Sequence, residues 1–98
     1  MPQSQISNVQ NNEIKITAIH AFTDNYIWAL QSINNKSIAL VDPGDADVCL
    51  SYIQQHQLTL NRILITHYHP DHVGGIEKLK QHCQRQGWPL TIYGPKKE

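Results

Sequence analysis

Apolar and polar residues alternate along the chain in segments that read first as strands, then as strands and helices in turn. "EIKITAI" (13–19) has period two, with Ile14 and Ile16 on one face and Lys15 and Thr17 on the other, as in a half-buried strand. "NYIWALQS" and "KSIALVD" are two more β-rich runs, joined through Ile33-Asn34-Asn35. Asparagine tolerates positive φ, so a tight antiparallel hairpin is expected there. "DPGDA" turns the chain after the third strand, and Asp45 can cap a helix over 46–57 with Val48, Cys49, Tyr52 and Ile53 as its apolar stripe. The continuous Ile63-Leu64-Ile65 of "RILIT" suggests a strand buried on both faces. A second helix is expected from about Pro70, with Val73, Ile76, Leu79 and Cys83 at helical spacing and Gly87 as its stop. "LTIYG" supplies a last short strand. The order βββαβαβ predicts an α/β protein with a mixed sheet, preceded by a disordered polar tail over 1–12.

Composition narrows the function more than the fold. The 98 residues suffice for one small domain, and 8 Lys plus Arg against 8 Asp plus Glu leave no net charge. A neutral chain offers no electrostatic footprint for nucleic acid or an anionic membrane. No apolar run approaches the ~20 residues needed to span a bilayer, and the first residues lack the apolar core of a secretory signal. Cytoplasm is the expected location. Cys49 and Cys83 have no framework spacing and form no CxxC, so they read as free thiols packed on helices. His20, His56 and His82 read as surface or core-filling residues, and Trp28 and Trp88 as core.

"ILITHYHPDHVGG" (63–75) is different, with three histidines and an aspartate within six positions. On a helix, at about 100° per residue, His67 and His69 would point roughly 200° apart; on an extended segment they share a side. Pro70 keeps His69 extended and suits the first turn of a following helix. His67 and His69 are therefore expected to project together, and Asp71 and His72 to project in a second direction, as a two-metal site needs. Imidazole and carboxylate are ligands for Zn²⁺, Fe or Mn²⁺. Gly74-Gly75 costs about 1 kcal/mol per residue inside a helix, which suggests close approach of a backbone or ligand. Asp42 is open to two readings, a residue of the Asp-Pro-Gly turn or an acceptor for the N–H of a ligating imidazole.

H-x-H-x-D-H after a buried strand resembles the signature of the metallo-β-lactamase fold hydrolases. Together with "FTDNYIWAL" and "VDPGDA" upstream, "THYHPDHVGG" is similar to glyoxalase II, the hydroxyacylglutathione hydrolases, over about residues 14–95. The resemblance implies an αββα sandwich of which 13–98 would be the N-terminal, truncated portion. It implies two divalent metal ions, zinc before iron or manganese. His67 and His69 would hold the first, and Asp71 and His72 the second, with Asp71 also orienting the attacking water. Tyr68 stands where the family often has another histidine, at a position that is not a ligand. The implied reaction is hydrolysis of the glutathione thioester S-D-lactoylglutathione to D-lactate and glutathione in methylglyoxal detoxification. The full-length enzyme is expected to be a monomer, with no nucleic-acid or membrane partner. Since the family's remaining ligands and glutathione-binding region come from later segments, the 98-residue chain is expected to be inactive alone. Other readings are another hydrolase of this fold, a persulfide dioxygenase with one iron, or a non-catalytic metal-binding module.

Overall fold

A computed structural model describes residues 14–21, 25–32, 34–66 and 74–95. Strands β1 (Ile14–Ala21), β2 (Asn25–Ser32) and β3 (Ser37–Val41) are followed by helix α1 (Ala46–His56), strand β4 (Thr59–Leu64), helix α2 (Ile76–Gln86) and strand β5 (Thr91–Tyr93). Among the described residues the order of elements is the expected βββαβαβ. The strands form one sheet in the order β1-β2-β3-β4-β5. Neighbours β1–β2 and β2–β3 are antiparallel, whereas β3–β4 and β4–β5 are parallel, each crossing over through a helix. The expected tail over 1–12 lies outside the described residues.

Both helices cover the same face of the sheet. Ile19, Ala21, Ile27, Ala29, Ile38, Leu40 and Ile63 meet Cys49 and Ile53 of α1 and Leu79 and Cys83 of α2 in a single buried cluster. This corrects the reading of β1. Its buried residues are Ile19 and Ala21, and the Ile14–Ile16 side is the open one, with Ile16 64% exposed. The register continues that open face across the sheet through Ile16–Leu30, Ala18–Trp28, Trp28–Val41, Val41–Leu64 and Leu64–Tyr93. Trp28, expected in the core, is 46% exposed there, while Trp88 packs partly buried against the cluster.

"RILIT" is not uniformly buried either. Ile38 pairs with Leu60 and Ala39 with Arg62, so Asn61 is an extra residue in β4. Such a bulge shifts the side-chain alternation by one. Leu60 and Ile63 consequently both face the helices, three positions apart, and Arg62 is exposed.

The helix ends follow local chemistry. Asp45 caps α1 by accepting from the Asp47 backbone N–H at 3.0 Å. Gln57 ends it in the left-handed conformation (φ 56°), and the Leu58 N–H returns to the Ile53 carbonyl at 2.9 Å. Gly87 does the same for α2 (φ 74°), with the Trp88 N–H on the Cys83 carbonyl at 2.9 Å. The N-terminal end of α2 departs from expectation. Gly74 and Gly75 form a turn and the helix carrying Leu79 and Cys83 starts at Ile76. Pro70 and Val73 lie outside the described residues. Among those described, no helix is long and apolar enough to cross a membrane.

Candidate metal centre

His67, His69, Asp71 and His72 lie outside the described residues, and among the described ones no three His, Cys, Asp or Glu side chains converge. The structure does show what holds the two ends of the segment that carries them. Its first end is the exit of β4. There the Asp42 carboxylate accepts the Thr66 backbone N–H on one oxygen at 2.8 Å and the Thr66 hydroxyl on the other. The Asp42 N–H in turn donates to the Leu64 carbonyl at 2.9 Å. Asp42 is buried, 9% exposed, and adopts φ 53°, a left-handed conformation that aspartate accepts more readily than most residues. Its own carbonyl accepts the Gly44 N–H at 2.9 Å, so it is a turn residue as well.

The second end is Gly75. Its N–H donates to the Pro43 carbonyl at 3.1 Å. A Cβ built at Gly75 would stand 2.6 Å from both the Pro43 carbonyl oxygen and the Ala46 nitrogen. The close approach read from the glycine pair is thus, at Gly75, backbone against backbone. A shallow cleft of about 220 Å³ opens beside this contact between the first turns of α1 and α2. Across it the Lys78 ammonium and the Asp47 carboxylate pair at 2.8 Å. Both side chains are mostly exposed, so the pair contributes little to stability.

His20 and His56 are exposed and His82 half-buried; their rings lie 5.3 Å from Tyr26, 4.5 Å from Tyr52 and 5.4 Å from Trp88 respectively. Cys49 and Cys83 are both free and buried. Burial, with a smaller contribution from Asp45, pushes the Cys49 thiol up from 9.0 to about 12, and burial raises Cys83 too. A thiol deprotonated at about 12 in the folded chain and at 9.0 in the unfolded one binds its proton more tightly when folded. Its contribution to stability is therefore complete below about pH 9 and is lost as pH rises toward 12. Cys49 is expected to resist a thiol-specific disulfide reagent at pH 8 in the folded chain and to react promptly in urea. Equal rates in the two conditions would contradict its burial.

Thr66 was not singled out by sequence reasoning. A threonine ending a β-rich run carries no local signal, and only the crossing of β3 beside β4 brings it to Asp42.

A sequence profile described as the Metallo-beta-lactamase superfamily matches residues 22–89. The hydroxyacylglutathione hydrolase of Shewanella oneidensis is 52% identical over 86 residues, 87% of this chain and 32% of that protein. That of Shewanella baltica strain OS155 is 49% identical over 85 residues, 87% of this chain and 31% of the relative. Hydroxyacylglutathione hydrolase 2 of Vibrio vulnificus is 48% identical over 85 residues, 87% and 32%. The chain therefore spans about a third of the length of these relatives. Among solved structures, the crystal structure of BLEG-1 B3 metallo-β-lactamase matches 83% of this chain and 36% of its own, with a TM-score of 0.65 and 24% identity. That likeness concerns the fold alone, and it agrees with the mixed sheet and its helical layer. With the profile covering most of the described sheet and both helices, the chain belongs to the metallo-β-lactamase superfamily.

Proposed function

We propose that this chain is the first metal-binding segment of a hydroxyacylglutathione hydrolase, acting on S-D-lactoylglutathione to release D-lactate and glutathione. The observation that carries the reading is 52% identity with such an enzyme over 87% of the chain. The superfamily implies divalent metal, and the donor set of this chain fits it: three imidazoles and one carboxylate, without thiolate, suit zinc, iron or manganese. We take zinc as the ion. His67 and His69 would hold one ion and Asp71 and His72 the other. Bound ions of this kind supply Lewis acidity and a nucleophile at neutral pH.

The chain's own residues have three tasks in that reaction. His67, His69 and His72 present neutral imidazole nitrogens as ligands. Asp71, besides serving as a ligand, would accept a hydrogen bond from the attacking water and so orient its lone pair toward the thioester carbon. Asp42, whose buried carboxylate already anchors the exit of β4, receives an imidazole N–H and so fixes the tautomer that binds metal. Residues 13–98 form the first part of one metallo-β-lactamase-like domain, and the cytoplasm is its location. Two ligands per ion fall short of the three usual at catalytic zinc, so thioester turnover is expected only when the rest of the domain is supplied.

A chimera tests this. The present chain replaces the matched third of the Shewanella oneidensis enzyme, and hydrolysis of S-D-lactoylglutathione is followed by loss of thioester absorbance. The chimera is expected to turn over substrate and to lose activity with Asp71→Ala. A folded, metal-loaded chimera without thioesterase activity would refute the substrate assignment.

A further inference from the structure

Both helices pack on one face of the sheet, and the other face is open. Ile16, Trp28 and Tyr93 are exposed on the open face, and its one formally charged side chain among the described strands is Arg62. Its five strands run from three to eight residues. At about 4.8 Å between strands and about 3.3 Å per residue, the face has a flat footprint of about 500 Å². Two such faces laid together remove about 1,000 Å² at the least, the size from which a specific protein–protein contact holds.

The face is also complementary to itself. Trp28 stands at one level of the sheet, in register with Val41 and through it with Leu64. Nearer the other end, a groove of about 240 Å³ is lined by Leu30, Ser32, Ala39 and Arg62. A two-fold axis lying between two such sheets, across the strands, sets each Trp28 over the groove of the other copy. That is the reciprocal contact an isologous pair requires. Aligned sheets pack in this way about 10 Å apart, with their side chains interdigitating.

We propose that the open face is a self-association surface, through which two copies of the chain pack sheet to sheet with their helices outermost. Trp28 is the anchor, a large ring already presented by a strand, so little freedom is lost when it is buried. Arg62 is exposed at the side of the groove, a polar margin beside an apolar centre. The chain carries no net charge, so the copies do not repel one another as they approach.

Sedimentation velocity of the full chain at about 1 to 100 µM spans the range in which a micromolar dimer forms. The parent is expected to pass from the mass of one chain to that of two. Trp28→Lys puts a charge into the groove contact and is expected to raise the dissociation constant about 30-fold or more, the cost of losing a central anchor. Gln54→Lys, on the exposed surface of α1, is expected to leave it unchanged. Trp28 lies outside the buried cluster, so the variant is expected to keep its fold by circular dichroism. If it does not, Ile16→Lys on the same face carries the same comparison. A parent that stays at the mass of one chain would overturn the proposal and leave this face to the rest of a longer domain. A dimer that survives the open-face lysine, or assemblies larger than two, would overturn it as well.

Discussion

Replacing His67 and His69 together by alanine is expected to weaken divalent-ion binding by more than about 100-fold, beyond the range for losing an orienting partner. The expectation follows from where these residues stand in the chain. β4 ends at Leu64, and its exit is fixed by Thr66 on the Asp42 carboxylate. Two residues spaced by two on an extended segment share a side, and Pro70 disfavours the helical conformation at His69 that would separate them. Removing both imidazoles takes away every ligand assigned to the first ion. The check is a Zn²⁺ competition titration of the double variant beside His56→Ala. His56 packs its ring against Tyr52 on the exposed side of α1, and its loss is expected to leave affinity unchanged. A double variant that still binds like the parent would remove the first metal position from the account.

Gly75→Ala carries the largest expected loss of stability, about 3 kcal/mol, at the upper end for overpacking a close-packed site. The clash falls on backbone at both sides, the Pro43 carbonyl and the Ala46 nitrogen, each 2.6 Å from the new carbon. A flexible side chain could swing away from such a collision; a turn tied to β4 through Asp42 and to α1 through its cap cannot. Relief requires pulling α2 from α1, which separates Leu79 from Cys49 and Ile53 in the shared core. For a domain of this size the midpoint of thermal unfolding should drop by about 10 °C or more. Urea unfolding of the two proteins measures the difference directly. A loss below about 1 kcal/mol would mean that the turn yields, and would contradict a rigid backbone contact at Gly75.

Local chemistry made much of this fold legible before any coordinates. The presence and order of five strands, the Asp45 cap and the Gly87 stop all stand as read, because each depends on residues close in sequence. What stayed hidden depends on which neighbour arrives. β1 shows clear alternation, but apolar residues occupy both of its faces, Ile14 and Ile16 on one and Ile19 and Ala21 on the other. Periodicity reveals that there are two faces without saying which one the helices cover. Asn61 in β4 carries no mark of a bulge, so Ile63-Leu64-Ile65 looked uniformly buried. Gln57 ends α1 in a conformation more usual for glycine, which residue type alone does not suggest.

The candidate site divides in the same way. Its proposed ligands are named from the sequence, where metal chemistry restricts both residue types and spacing, and they lie outside the described residues. The hydrogen bonding of Thr66 to Asp42 was not legible, since it joins residues 24 positions apart through one carboxylate. For Asp42 the turn reading is the one seen, and the reading as acceptor for a ligating imidazole concerns residues outside those described. Asp42 shapes the turn through its backbone while its side chain holds the exit of β4.

The most direct measurement is a long-range ¹H–¹⁵N spectrum of the histidine rings during a Zn²⁺ titration. The chain has six histidines, and each ring reports on its own nitrogens. His67, His69 and His72 are expected to shift to metal-bound values while His20, His56 and His82 keep theirs. A spectrum in which the first three stay unchanged at saturating zinc, or in which all six move alike, would contradict it.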